Sequence, residues 1–95
     1  MAKKRQVIWS LESSRKVQSI VEYLLEEWGE KEANDILNRL KNFEDLVIEH
    51  PQLYPASQED DNLRKAVITK FQSVIYTIDD DSIRVLTILD HRQIS

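Results

Sequence analysis

The chain contains no cysteine, which excludes a disulfide-stapled fold, a thiolate zinc site and a cysteine nucleophile, and points to a reducing cytoplasm. Glycine occurs once, at Gly29, and proline only at Pro51 and Pro55. A glycine-rich phosphate loop cannot be built from this, and the composition of a flexible, disordered chain is missing as well. Histidine is limited to His50 and His91, which are not at metal-ligand spacing, so neither a metal nor another cofactor is expected. Long apolar runs are absent too: the basic stub Met1–Arg5 leads into no more than Val7, Ile8 and Trp9, and neither a signal peptide nor a membrane span is expected. Ninety-five residues suffice for one core, so a single domain over 1–95 is expected and a multidomain enzyme is not.

What is present is a chain 41% hydrophobic and 32% charged, a composition that packs into helices and strands. Its net charge of −4 is unevenly spread, at +3 over residues 1–10, −5 over 11–50, −3 over 51–62 and +1 over 63–95. An acidic protein is a poor general binder of nucleic acid, because clustered lysine and arginine recruit the polyanion. Any such contact has to be local.

The order of elements follows from periodicity. Arg5 to Trp9 reads as a short strand, with Ser10 where a helix N-cap is wanted. Val17, Ile20, Val21, Leu24, Leu25 and Trp28 then recur at spacings of three and four, the stripe of an amphipathic helix that ends at Gly29. Ala33, Ile36, Leu37, Leu40, Phe43 and Val47 make a second stripe, so two helices with a short joint form a hairpin. Residues 50–62 hold both prolines and show neither period, which predicts a surface loop. Leu63–Lys70, Gln72–Asp79 and Ile83–Asp90 are rich in Val, Ile, Thr and Tyr and read as a three-stranded meander. Alternation sets Val74, Tyr76 and Ile78 on one face and Ile75 and Thr77 on the other, so one face packs against the helical hairpin and the other is only partly covered. The expected class is α+β: a strand, an antiparallel helical hairpin and a three-stranded meander in one sheet packed on the helices.

Chemistry-bearing residues collect in the last third. Arg64, Lys65, Lys70, Arg84, His91 and Arg92 form a slightly positive segment in an acidic chain. By alternation Arg64, Ala66, Ile68 and Lys70 share a face, so Arg64 and Lys70 together suit a phosphate or an acidic protein patch. Spacing alone also fits edge charge that keeps sheets from pairing. His91 beside Arg92 brings together a group titrating near neutrality and a fixed cation, the ingredients of proton transfer and phosphate stabilisation, although a lone histidine at a strand end is also an ordinary surface residue. The serines lack triad spacing with the two histidines.

The ordered pieces Val7-Ile8-Trp9-Ser10, Tyr23-Leu24, Trp28-Gly29, Leu53-Tyr54-Pro55, Leu63-Arg64-Lys65 into Ile68, Val74-Ile75-Tyr76 with Ile78, and Asp90-His91-Arg92-Gln93 resemble the RelE/ParE superfamily, the toxin halves of bacterial type II toxin–antitoxin pairs. The resemblance covers nearly the whole length and implies a helical hairpin against a curved antiparallel sheet that the first strand joins. It implies one of two activities. RelE-like members are ribosome-dependent endoribonucleases that cleave messenger RNA with basic strand residues and a C-terminal tyrosine or histidine. Arg64 and Arg92 fall at or near such basic positions, but Ala66 and Ser73 stand where others belong, and no tyrosine follows Arg92.

ParE-like members are linked to poisoning of DNA gyrase, and the resemblance leans that way. It implies a growth-inhibiting, plasmid-stabilising cytoplasmic toxin that binds gyrase through Arg64, Lys65, Lys70, Arg84 and Arg92 and is neutralised by a cognate antitoxin, in a toxin–antitoxin heterotetramer. In the RelE-like alternative, with ribosome and messenger RNA as partners, Arg64, His91 and Arg92 are the catalytic candidates. A family member without toxicity is the third reading. An antitoxin tail is expected on an apolar groove, and because many such tails are acidic, on the basic strand face or the stub Lys3-Lys4-Arg5.

Overall fold

In the computed structural model, which describes residues 5–91, β1 (Gln6–Trp9) runs into α1 (Leu11–Glu27) through Ser10. The Ser10 side chain accepts a hydrogen bond from the Ser13 backbone N–H at 3.0 Å, satisfying one of the orphan donors of the first helical turn. α1 ends at Trp28, and α2 (Glu30–Glu49) starts directly after Gly29, whose φ of 111° is open to glycine and strained for any other residue. A joint of two residues folds the helices back as a hairpin. After the loop come β2 (Arg64–Val67), β3 (Gln72–Ile78) and β4 (Ser82–Asp90).

The sheet order is β1-β4-β3-β2. β2 and β3 pair antiparallel, as do β3 and β4, but β1 lies parallel to β4, with Val7 opposite Ile83 and Trp9 opposite Val85. The sheet is therefore mixed, which corrects the antiparallel expectation. The meander brings β4 back as the central strand, running in the direction of β1, so the free side of β4 accepts β1 in parallel.

Alternation holds along β3, where Val74 and Tyr76 are fully buried, and fails along β4. Ile75 opposes Thr87 and Tyr76 opposes Val85, so Leu86 is an extra residue, a bulge that shifts the inward set from Ile83 and Val85 to Ile88. The bulge sits where β1 stops: Ser10 N donates to Val85 O at 3.0 Å and Ser10 Oγ donates to Leu86 O at 2.8 Å. One serine thus caps α1 and satisfies the bulged carbonyl.

The core is Ile20 of α1, Ile36, Leu40, Phe43 and Val47 of α2, and Ala66, Ile68, Val74, Tyr76, Ile83, Val85 and Ile88 of the sheet side. The stripe expected for α2 is observed except that Leu37 is exposed; Leu25 and Trp28 of α1 are exposed as well. The β2 strand is also shorter than expected, because Ile68 to Phe71 form the turn into β3: Ile68 N and Thr69 N both donate to Gln72 O.

Phe43 lies against three rings, with centroids 6.4 Å from Trp9, 5.9 Å from Tyr54 and 5.6 Å from Tyr76. Tyr76 Oη donates to Pro51 O at 2.8 Å, and Trp9 Nε1 donates to Glu44 Oε2 at 2.6 Å. Phe43→Ala removes the common ring and should cost about 3–5 kcal/mol, read as a fall in the denaturant midpoint. Burial pushes the Tyr76 hydroxyl above its ordinary pKa. The folded state then holds that proton more tightly than the unfolded one, so the contribution is complete below about pH 10 and is lost as pH rises through the folded-state value. Melting temperature followed from pH 8 to 12 should decline less steeply in Tyr76→Phe, from a starting point lower by the lost bond, about 1 kcal/mol.

Candidate functional site

Two surfaces are available, the outer face of the sheet and a cleft at the hairpin tip. Rows across the outer face follow from the register: Lys65, Ile75 and Thr87; Val67, Ser73 and Leu89; Thr77, Arg84 and Ile8. Apolar and small neutral side chains fill most of it, and its cations stand apart. Arg84 Nε donates to Asp79 Oδ2 at 2.6 Å in the turn before β4, where Arg5 Nε also donates to Asp79 O at 3.1 Å. At the other end of the sheet Lys16 Nζ donates to Thr87 Oγ1 at 3.1 Å.

Arg64 is on the opposite, inward side, on the parity of buried Ala66. Its Nη1 donates to Tyr54 O at 2.6 Å, and its strand is covered by the loop through Lys65 N to Pro55 O and Ser57 N to Leu63 O. Lys70 is not on β2 at all: it belongs to the turn, its Nζ 5.2 Å from the centre of the Phe71 ring. The joint Arg64–Lys70 surface expected from alternation is therefore not formed, because the strand ends at Val67. Lys65 is exposed on the outer face. His91 lies beside the turn, its N–H donating to Phe71 O at 2.8 Å. Buried Gln72 orders this corner, since its Nε2 donates to Asp90 Oδ1 at 3.2 Å while its Oε1 accepts from Thr69 Oγ1. Arg92, Lys3 and Lys4 lie outside the described residues.

The cleft, about 810 Å³, opens between the hairpin tip and the β2–β3 turn. Tyr23, Leu24, Trp28 and Ile36 form its helical wall, Phe71 and Lys70 the other, with Glu32, Asp35, Arg39 and His91 around them. Trp28 is 66% exposed, although it closes an apolar stripe. Its position directly before the one glycine, at the corner of the hairpin, is the signal that could have marked it. Among the described residues no group of three His, Cys, Asp or Glu is arranged to hold a metal. Among the described residues no helix is long and apolar enough to cross a membrane.

A helical hairpin on one face of a four-stranded mixed sheet defines the class, the α+β fold of RelE/ParE-like toxins. Residues 7–95 match the family described as the ParE toxin of type II toxin–antitoxin system, parDE, and the chain belongs to that family. Solved structures share the fold at low identity. A chromosomal ParDE toxin–antitoxin system from P. aeruginosa superposes with a TM-score of 0.76 at 12% identity, covering 94% of this chain and 98% of that one. The YoeB dimer from Staphylococcus aureus gives 0.66 at 11% identity, with 93% and 98% covered. The E. coli DinJ–YafQ complex gives 0.62 at 19% identity, with 93% and 94% covered. No curated protein matches the sequence.

The geometry separates structural from available cations. Arg64→Ala strands a half-buried carbonyl and should destabilise by about 1–3 kcal/mol, whereas Lys65→Ala should leave the thermal midpoint unchanged. Thermal unfolding of the two variants side by side checks this.

Proposed function

We propose that this toxin arrests growth by binding DNA gyrase, as part of a plasmid-stabilising pair, and that a cognate antitoxin neutralises it in a heterotetramer. The carrying observation is the outer face of the sheet, where a ribonuclease of this fold would hold messenger RNA. Phosphate contact and cleavage need convergent cations beside a proton-transferring group. Among the described residues that face carries Lys65, a salt-bridged Arg84 and, at one end, Lys16 held between Thr87 and Glu12, while Arg64 points inward and His91 sits at the far corner by Phe71. Binding requires no such convergence. The antitoxin reading is supported by the toxin–antitoxin family description and by relatives described as a ParDE system and a DinJ–YafQ complex. Lys65, exposed and outside any ion pair among the described residues, suits an acidic antitoxin tail.

One observation favours the RelE-like alternative: His91 is exposed, directly before Arg92. Two assays on the purified and the induced chain discriminate. The expected outcome is inhibition of supercoiling by purified gyrase and DNA damage in cells, with messenger RNA ends unchanged in the first minutes. New ends within reading frames, lost in His91→Ala, would overturn the gyrase reading.

A further inference from the structure

The hairpin tip is charged in a way its own fold does not use. Residues 22–35 hold Glu22, Glu26, Glu27, Glu30, Glu32 and Asp35 against Lys31 alone. Asp35 is paired with Arg39 at 3.0 Å, and among the described residues the five glutamates make no ion pair. Glu26 and Glu27 occupy the last turn of α1, which has no basic residue, so they stand at the negative end of the helix dipole, where a cation is favoured. This potential borders an apolar cleft. Glu32 lines it directly, and Glu27 is one turn from Tyr23 on the same helix face. Trp28, Tyr23 and Phe71, each more than 40% exposed, crowd the same opening, and large aromatics in a cleft are the usual anchors of an interface. On the opposite wall the one lysine, Lys70, lies over the Phe71 ring.

We propose that this cleft, with Trp28 as its anchor, is the surface by which the toxin grips its target, and that the occupant is a lysine- or arginine-bearing amphipathic helix of a DNA-handling enzyme. The assignment rests on the reading that the chain acts by binding such an enzyme. Proteins that hold DNA present cationic surfaces to it, and the net-acidic hairpin tip beside the aromatic cleft, whose own lining balances Glu32 and Asp35 against Arg39 and Lys70, complements such a surface. An acidic antitoxin tail is repelled by the same glutamates.

The direct test uses an 18-residue amphipathic peptide of leucine and lysine as probe, and reads the indole N–H resonances of the two tryptophans, Trp9 and Trp28. Trp28 should shift on titration, Trp9 should not, and binding should weaken with salt and in Glu27→Lys/Glu32→Lys. No shift, or equal binding of a leucine–glutamate peptide, overturns the proposal. In cells, Trp28→Ala should weaken target binding about thirtyfold and restore colony formation, with antitoxin affinity within twofold of the parent. Undiminished arrest, or loss of antitoxin affinity in these variants, overturns it as well. If the parent chain fails to inhibit gyrase, the gyrase reading falls separately, while the peptide titration still decides the cleft.

Discussion

The ring of Phe43 is the contact on which the rest of the structure depends. It is 1% exposed and touches Trp9 of β1, Tyr54 of the long loop and Tyr76 of β3. Helix, sheet and loop therefore share one packing site. Once Tyr54 and Tyr76 are fixed there, their polar groups must be satisfied nearby, since buried polar atoms without partners are costly. The Tyr76 hydroxyl finds Pro51 O and the Tyr54 carbonyl receives Arg64. A loop without regular structure is thereby tied down along the edge of β2. Arg64, a candidate for target or substrate contact by its charge, is drawn into the architecture by this requirement.

A second constraint acts at the other side of the sheet. The Leu86 bulge, held by the Ser10 hydroxyl, allows β4 to pair β1 up to Val85 and then pass beside α1. Lys16 reaches Thr87 from the helix, and the hydrogen bond from Thr87 together with the Lys16 charge holds the Glu12 carboxyl below its ordinary pKa. The edge of the central strand is thus covered by the helix that its neighbour starts. Because the bulge reverses the parity of β4, the outer face becomes a largely neutral surface.

Fold and activity separate at this point. The ParDE, YoeB and YafQ structures share this architecture at 11–19% identity, and a shared scaffold carries different activities through its local chemistry. In this chain that chemistry is divided between a largely neutral sheet face and a cleft, where the turn with Lys70 and His91 faces the acidic helical tip.

The hairpin was legible from the sequence because helical periodicity and the cap at Ser10 are local signals, and the strands because β-branched and aromatic residues cluster in short runs. Residues whose burial follows from that period, such as Ile36, Leu40 and Phe43, were likewise determined by the sequence itself. Only the tertiary structure decided the parallel pairing of β1, the bulge at Leu86, the inward turn of Arg64 and the exposure of Trp28. Each depends on what a distant segment supplies: a strand partner, a hydroxyl for a stray carbonyl, a carbonyl for a guanidinium, or, beside Trp28, the far wall of an open cleft. Periodicity tells which way a side chain faces on its own element; what stands opposite is set by long-range packing.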